Sequence, residues 1–546
     1  MKQKYFKLLS SAVFLLAVIS GCTKKLDLVP TNDITADKVY STPLGYKQAL
    51  AKVFGAMANT GNVQGTATGN GGEDIPKSIL SDEGNSDFLR GFWYLQELST
   101  DEAGWTYFGN TDPLDIHQFT WSAVNQTIGG AYYRSFFLIT LANDFIRQAS
   151  DANISSRGIT GLAADSIRSY RNEARYLRAF HYWVLMDFFA NPPFVTENDV
   201  IGAALPKQIS RTDLFNYIET ELKDLENSLP APRTNEYGRP DKAAACALLS
   251  RMYLNAAVYT GTARYTDAIT YCNKIINAGY TLHTDYKELM LADNDRLKNS
   301  EFIFTIPYDG TFTQSYGGTT TLAHAPSANM DDAGIKSQFI AITGLTSSPA
   351  SWQCLRVTQQ FVALFPASDI RGQFFTNGQN LQMTQLLGAP RDGYSSNKFR
   401  NVTRTGGPAA HADPGGIFAD IDFPLFRLAE TYLIYAEAVL RGGTGGSTAT
   451  ALSYLDKLSL RGRNNVSSNA TLTLPYILDE RARELFWEGF RRTDLIRYGQ
   501  FTTATYLWAW KGGVQSGTAV DSKYNIFPIP SIDLSANPNL KQNPGY

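Results

Sequence analysis

"NEARYLRAFHYWVLMDFFANPPFV", residues 172–195, decides the fold class. Ala174, Leu177, Phe180, Val184 and Phe188 recur at threes and fours, the spacing of one helix face. Pro192 and Pro193 then stop the helix. The pattern repeats downstream. In "DKAAACALLSRMYLNAA" the stripe is Ala245, Leu249, Met252 and Ala256, and in "LFRLAETYLIYAEAVLRGG" it is Ala429, Leu433, Ala436 and Leu440. "RTDLFNYIETELKDLENSL", "RYTDAITYCNKIINAGY" and "LDERARELFWEGFRRTDLIRYG" read as further helices. The alanine and tyrosine usage suits closely packed helix pairs of the tetratricopeptide kind, in a degenerate register. The fold class is therefore mostly α, a scaffold of helical pairs.

Two stretches break the pattern. Residues 59–125 and 302–426 are rich in Gly, Ser, Thr, Asn and Pro and read as irregular layers on that scaffold. Binding residues usually sit on such layers. The first contains "DEAGWTYFGN", residues 101–110, where Trp105, Tyr107 and Phe108 lie between Gly104 and Gly109. Such a loop is either a core plug or a platform for a ligand.

The chain opens with Lys2, Lys4 and Lys7, an apolar run from Leu8 to Ile19, and a small-residue site before Cys22. This is a secretory leader, residues 1–21, excluded from fold reasoning. The ending Ile19-Ser20-Gly21-Cys22 resembles a bacterial lipobox, with Cys22 as the lipidated first residue of the mature chain. Residues 22–546 then form a single domain, anchored at its start. Without the leader, 46 basic residues face 51 acidic ones, which is no footprint for nucleic acid. Cys246, Cys272 and Cys354 remain, too few and too irregular for a disulfide framework or zinc site, and are expected to be buried thiols.

Catalytic motifs are missing. There is no G-x-S-x-G, Walker loop or H-E-x-x-H, and His117, His181, His283, His324 and His411 never fall at metal-ligand spacing. Asp101 and Glu102 are sequence neighbours, and neighbours do not generally face each other across a glycosidic bond. Glu480, Glu484 and Glu488 recur at intervals of four, where like charges repel. They are expected to meet Arg481, Arg483, Arg491 and Arg492, or a neighbouring helix, in a partly buried network.

Several segments together resemble the SusD/RagB family of outer-membrane nutrient-binding lipoproteins. They are "CTKKLDLVPT", the opening stretch, "GRPDKAAACALLSRMYLNAA", "DIDFPLFRLAETYLIYAEAVLR", "ERARELFWEGFRRTDLIRYGQF" and "YNIFPIPSIDLSANPNLKQNPGY". The resemblance implies a SusD-like fold, no enzymatic activity, oligosaccharide binding at the cell surface and a SusC-type TonB-dependent transporter as partner. It is nearest to the starch-binding members. "TDEAGWTYFGN" puts Trp105 and Asn110 on their aromatic loop, and "SDEGNSDFLR" puts Asp82 and Arg90 on their polar sugar contacts. "YGGTT" and "SWQC" put Tyr316 and Trp352 on stacking rings. "TYFG" departs from the family loop, and the stretch from Trp352 to Phe426 is shorter. The implied ligand is starch or malto-oligosaccharides. Another glycan, a peptide, or a scaffold that only gates the transporter stays open. No cofactor is expected beyond a structural calcium. "ADND" and "ADID" supply Asp293, Asp295, Asp420 and Asp422, and the resemblance puts Asp295 and Asp420 at such an ion.

Overall fold

The computed structural model describes residues 35–61, 73–199, 202, 204–328, 331–345, 352–463 and 472–546. Cys22 and the leader lie outside them.

The Gly161–Phe189 helix is the spine of the scaffold. Gln126–Gln148 and Arg211–Ser228 pack along it. Lys242–Leu254 continues the stack against Arg211–Ser228 and Tyr265–Asn277, and Leu428–Leu440 closes it. The predicted stripe of the spine is buried, but so is nearly every other residue from Glu173 to Phe189. Lys242–Leu254 is likewise buried all round from Ala243 onward. Helices buried on every side lose the polar face that marks a surface helix. Alanine on the remaining faces lets neighbours approach closely.

Two predicted helices are not continuous. Leu425, Phe426 and Arg427 belong to the strand Phe423–Arg427, which pairs antiparallel with Phe302–Ile306, and the helix starts only at Leu428. The 478–499 segment splits into Leu474–Glu484 and Arg491–Arg497. Trp487 and Gly489 take φ of 62° and 83°, which ends a right-handed helix. At Gly489 a Cβ would also stand 2.7 Å from the Phe92 ring. The break puts the Trp487 ring against Trp93 at 5.0 Å, where both are fully buried.

The first irregular layer also holds a helix the sequence reading passed over, Phe88–Glu97, with Asp87 as its N-cap. All but one of its residues are buried. The second layer is built of short strands, short helices and turns, as expected. One contiguous apolar core runs from Tyr40 to Leu540 and joins both layers to the scaffold. Cys246, Cys272 and Cys354 are buried free thiols. Among the described residues no helix is long and apolar enough to cross a membrane.

Candidate functional site

The start of the Phe88–Glu97 helix is the meeting point of the second layer and the first. Asp87 Oδ1 accepts from Arg90 N, capping the helix, and from Gly318 N, both at 2.9 Å. Its Oδ2 accepts from Ser315 Oγ at 2.9 Å. One buried carboxylate thus ties residues 315–318 to the helix that carries Arg90. A Cβ on Gly317 would sit 2.1 Å from Asp87 Cβ, so only glycine allows this approach. Tyr316 is held between, half-buried, with its ring 5.3 Å from Phe418.

Asp82 is exposed and caps the turn Glu83–Ser86 through Gly84 N at 2.9 Å. A Cβ on Gly84 would lie 2.3 Å from Arg90 Nη1 and 3.4 Å from Asp82 Oδ1, so the two charges flank this glycine. The Arg90 guanidinium lies over the Tyr94 ring at 5.3 Å. Burial works against its charge, but Tyr94 and Asp82 outweigh that and push its pKa up, so Arg90 is a fixed cation.

The aromatic loop joins from the side. Gly104–Trp105 pairs antiparallel with Leu355–Arg356. Thr106 extends the ribbon: its N donates to Cys354 O and its Oγ1 to Gln353 O, each at 2.8 Å. This brings the loop beside Trp352, whose ring stacks on His324 at 5.6 Å and 24°. Trp352 remains partly exposed. Asn110 caps the following helix, its Oδ1 accepting from Asp112 N at 3.1 Å.

Asp82, Arg90, Asn110, Tyr316 and Trp352 therefore gather from four parts of the chain. Trp105 is in the same neighbourhood but is not a platform ring. It is only 2% exposed and meets Tyr94 edge-on at 5.8 Å. Its Nε1 donates to Tyr107 O at 2.8 Å and Asn110 O at 3.1 Å. A ring closed in this way offers no face to a sugar, so Trp105 is the buried anchor of the loop. The exposed rings of this loop are Tyr107 and Phe108. Sequence reasoning also missed Asp87 and His324. An N-capping Asp three residues before Arg90 was the available signal for Asp87.

The carboxylates beside the loop are spent inside the fold. Asp101 takes Arg491 through both oxygens at 2.7 and 2.8 Å and Tyr506 OH at 2.6 Å. Glu102 accepts from Trp487 N. A separate cleft of about 810 Å³ lies between Gln126–Gln148 and Pro193–Phe194 and contains none of the site residues. Its Asn143 and Arg147 bond Val195, Glu197 and Asp199 carbonyls of its own wall.

The calcium ligands do not assemble as expected. Burial, with Asp309 and Asp295 nearby, pushes Asp420 up to about 6, and burial, with Asp295 and Asp420 nearby, pushes Asp422 up to about 7. Yet among the described residues no three His, Cys, Asp or Glu side chains have metal-holding spacing. Asp422 already accepts from Tyr237 OH at 2.5 Å and Tyr308 N at 2.8 Å. Asp293 turns to Arg296 and Arg404 N. Calcium takes six to eight oxygens, often from several carboxylates, and these aspartates form no such carboxylate cluster.

Comparison with known proteins follows the same lines. Residues 365–546 match the family described as "SusD family", and residues 83–254 the one described as "Starch-binding associating with outer membrane". A protein named "Starch-binding protein SusD", from Bacteroides thetaiotaomicron, is 34% identical over all of both chains.

The chain belongs to the SusD family.

Solved structures share the fold of this SusD-family chain. Surface glycan-binding protein A from Bacteroides uniformis superposes with TM-score 0.68 at 19% identity, covering 92% of this chain and 99% of that one. Its counterpart from Bacteroides thetaiotaomicron, in complex with laminarihexaose, gives 0.64 at 19%, covering 91% and 98%.

Proposed function

We propose that this chain captures α-1,4-glucans, starch and malto-oligosaccharides, at the cell surface and delivers them to a SusC-type TonB-dependent transporter. The observation that supports it is that Asp82, Arg90 and Tyr316 meet at the start of one helix while Asn110 and Trp352 flank the ribbon that packs on the same helix through Trp105 and Tyr94. A pyranose has an apolar face of C–H groups and an edge of hydroxyls. The Tyr316 and Trp352 rings take the face. Asp82 accepts from hydroxyls, Arg90 donates to them, and Asn110, with Oδ1 used as a cap, donates through its amide nitrogen. An α-1,4-glucan curves naturally, so rings set on separate loops select its shape. The full-length likeness to a protein named for starch binding favours α-glucan.

The purified chain should be retarded in native gels containing amylopectin and should bind maltoheptaose without cleaving it. Binding of laminarihexaose but not maltoheptaose would move the ligand to another glucan. No glycan binding at all would leave a scaffold that gates the transporter, and cleavage would make the protein a glycosidase.

Anchoring rests on Cys22, which lies outside the described residues. With transporter absent, Cys22→Ala should move the protein from the outer-membrane fraction to the soluble one without unfolding it. A variant that stays with the membrane would sink the lipid anchor.

A further inference from the structure

We infer that Phe108, not Trp105, is the ring through which the aromatic loop stacks on the glucan. This rests on the glycan-binding reading above. The loop is a relay of rings running outward from the core. Tyr94 meets Trp105 at 5.8 Å, Trp105 meets Tyr107 at 6.4 Å, and Tyr107 meets Phe108 at 5.5 Å. Exposure climbs along it, from 1% at Tyr94 and 2% at Trp105 to 42% at Tyr107 and 73% at Phe108. Among the described residues few large apolar side chains are so exposed.

The tip is held in place. The Trp105 indole fixes both limbs of the turn through the Tyr107 and Asn110 carbonyls. Tyr107 folds back over Gly109, where a Cβ would lie 2.5 Å from the tyrosine ring. Phe108 is therefore exposed on a braced turn, and bracing lowers the ordering cost that a free loop would bring to binding.

Its position is set by the ribbon. Gly104 pairs with Arg356 and Trp105 with Leu355, and Thr106 N bonds Cys354 O. Two residues beyond that bond on one strand is Phe108, and two beyond it on the other is Trp352. The pairing itself ends at Trp105 and Leu355, so Phe108, on its turn, and Trp352 both lie beyond the same end of this short ribbon, and a sugar laid across that end would meet both. Asn110 follows two residues later to take the hydroxyl edge.

The ring and not its bulk is the functional part, so the test is aromatic rescue. Phe108→Ala should weaken maltoheptaose binding by about fivefold, the loss of one ring contact. Phe108→Trp should restore or exceed wild-type affinity, and Phe108→Leu should not. Thermal unfolding of all three should match wild type, because the side chain is mostly in solvent. Wild-type affinity in Phe108→Ala, with binding lost in Trp352→Ala, would overturn this inference and leave the proposed function standing. Equal rescue by Phe108→Leu would also overturn it. Wild-type affinity in both alanine variants would overturn the site itself.

Discussion

Alanine at Tyr316 and Trp352 together is expected to abolish retardation in amylopectin gels while the unfolding transition stays near wild type. Each ring contact is worth on the order of 1 kcal/mol, by analogy with aromatic pairs, so two removals cost ~30-fold per site. Polymeric starch presents many copies of its ligand, and avidity makes the observed retention steeper than the single-site loss. Trp352→Ala alone should weaken binding without erasing it. Both rings are partly exposed, one on His324 and the other on Phe418, so truncation opens no large internal cavity. Trp105 is best left in place. It is buried, and removing such a ring costs about 3–5 kcal/mol of stability, which would confuse folding with binding. Cyclodextrins should compete with starch because they hold the curved α-1,4 shape, and straight cello-oligosaccharides should not. A double variant that is folded and retained like wild type would place the platform elsewhere.

The second large effect concerns the core. Arg427 ends a buried strand and meets three carboxylates: Glu488 at 2.6 Å, Glu484 at 2.6 Å and Glu301 at 2.9 Å. Arg461 joins Glu301 and Glu484, Arg371 joins Asp369, Glu480 and Glu484, and Lys398 joins Glu488. No side chain in the group is more than 4% exposed. Removing one charge leaves its partners buried and unpaired. Arg427→Met is therefore expected to cost about 3–5 kcal/mol, read as a lower denaturant midpoint. Restoring the charge balance with Glu488→Gln in the same chain should recover part of it.

Glu484 gives this network a pH signature. Burial alone would raise its pKa, but Arg461, Arg427 and Arg371 outweigh burial and hold it at about 2, below the usual 4.5. A carboxylate depressed in the folded state stabilises above its unfolded pKa and loses that contribution as pH falls toward the folded one. The contribution, roughly 3 kcal/mol, should be complete above pH ~5 and gone near pH ~2. The stability gap between wild type and Glu484→Gln should narrow across that window. Glu97 and Glu102 act in the opposite direction, since burial pushes both well above the usual range. A gap that stays constant with pH would show that Glu484 is not held ionised by its arginines.

The sequence by itself determined the helical scaffold, because helix periodicity is a local property. The stripe from Ala174 to Phe188 and the proline stop can be read within one window, and the structure builds both. Through its resemblance to the family it also named Asp82, Arg90, Asn110, Tyr316 and Trp352 as candidate sugar contacts. It anticipated that Glu480, Glu484 and Glu488 would meet arginines, since three buried like charges cannot stand alone. Which arginines was decided only in three dimensions. Of the four nearby in sequence only Arg483 pairs with this group, while Arg371, Arg427 and Arg461 arrive from other elements. The helix that seemed to carry all three glutamates breaks before Glu488, because Trp487 and Gly489 are turned to meet Trp93 and Phe92. The fate of Trp105 has the same cause. A tryptophan in a glycine-bounded loop suits a plug and a platform equally well, and nothing within ten residues chooses between them. The choice is made by what closes over the ring: Tyr94 from the helix before it and the turn that the ring itself pins, on a ribbon whose second strand lies some 250 residues away. Exposure is a property of the packed chain, and only the packed chain shows that Phe108 is the most exposed ring of this loop.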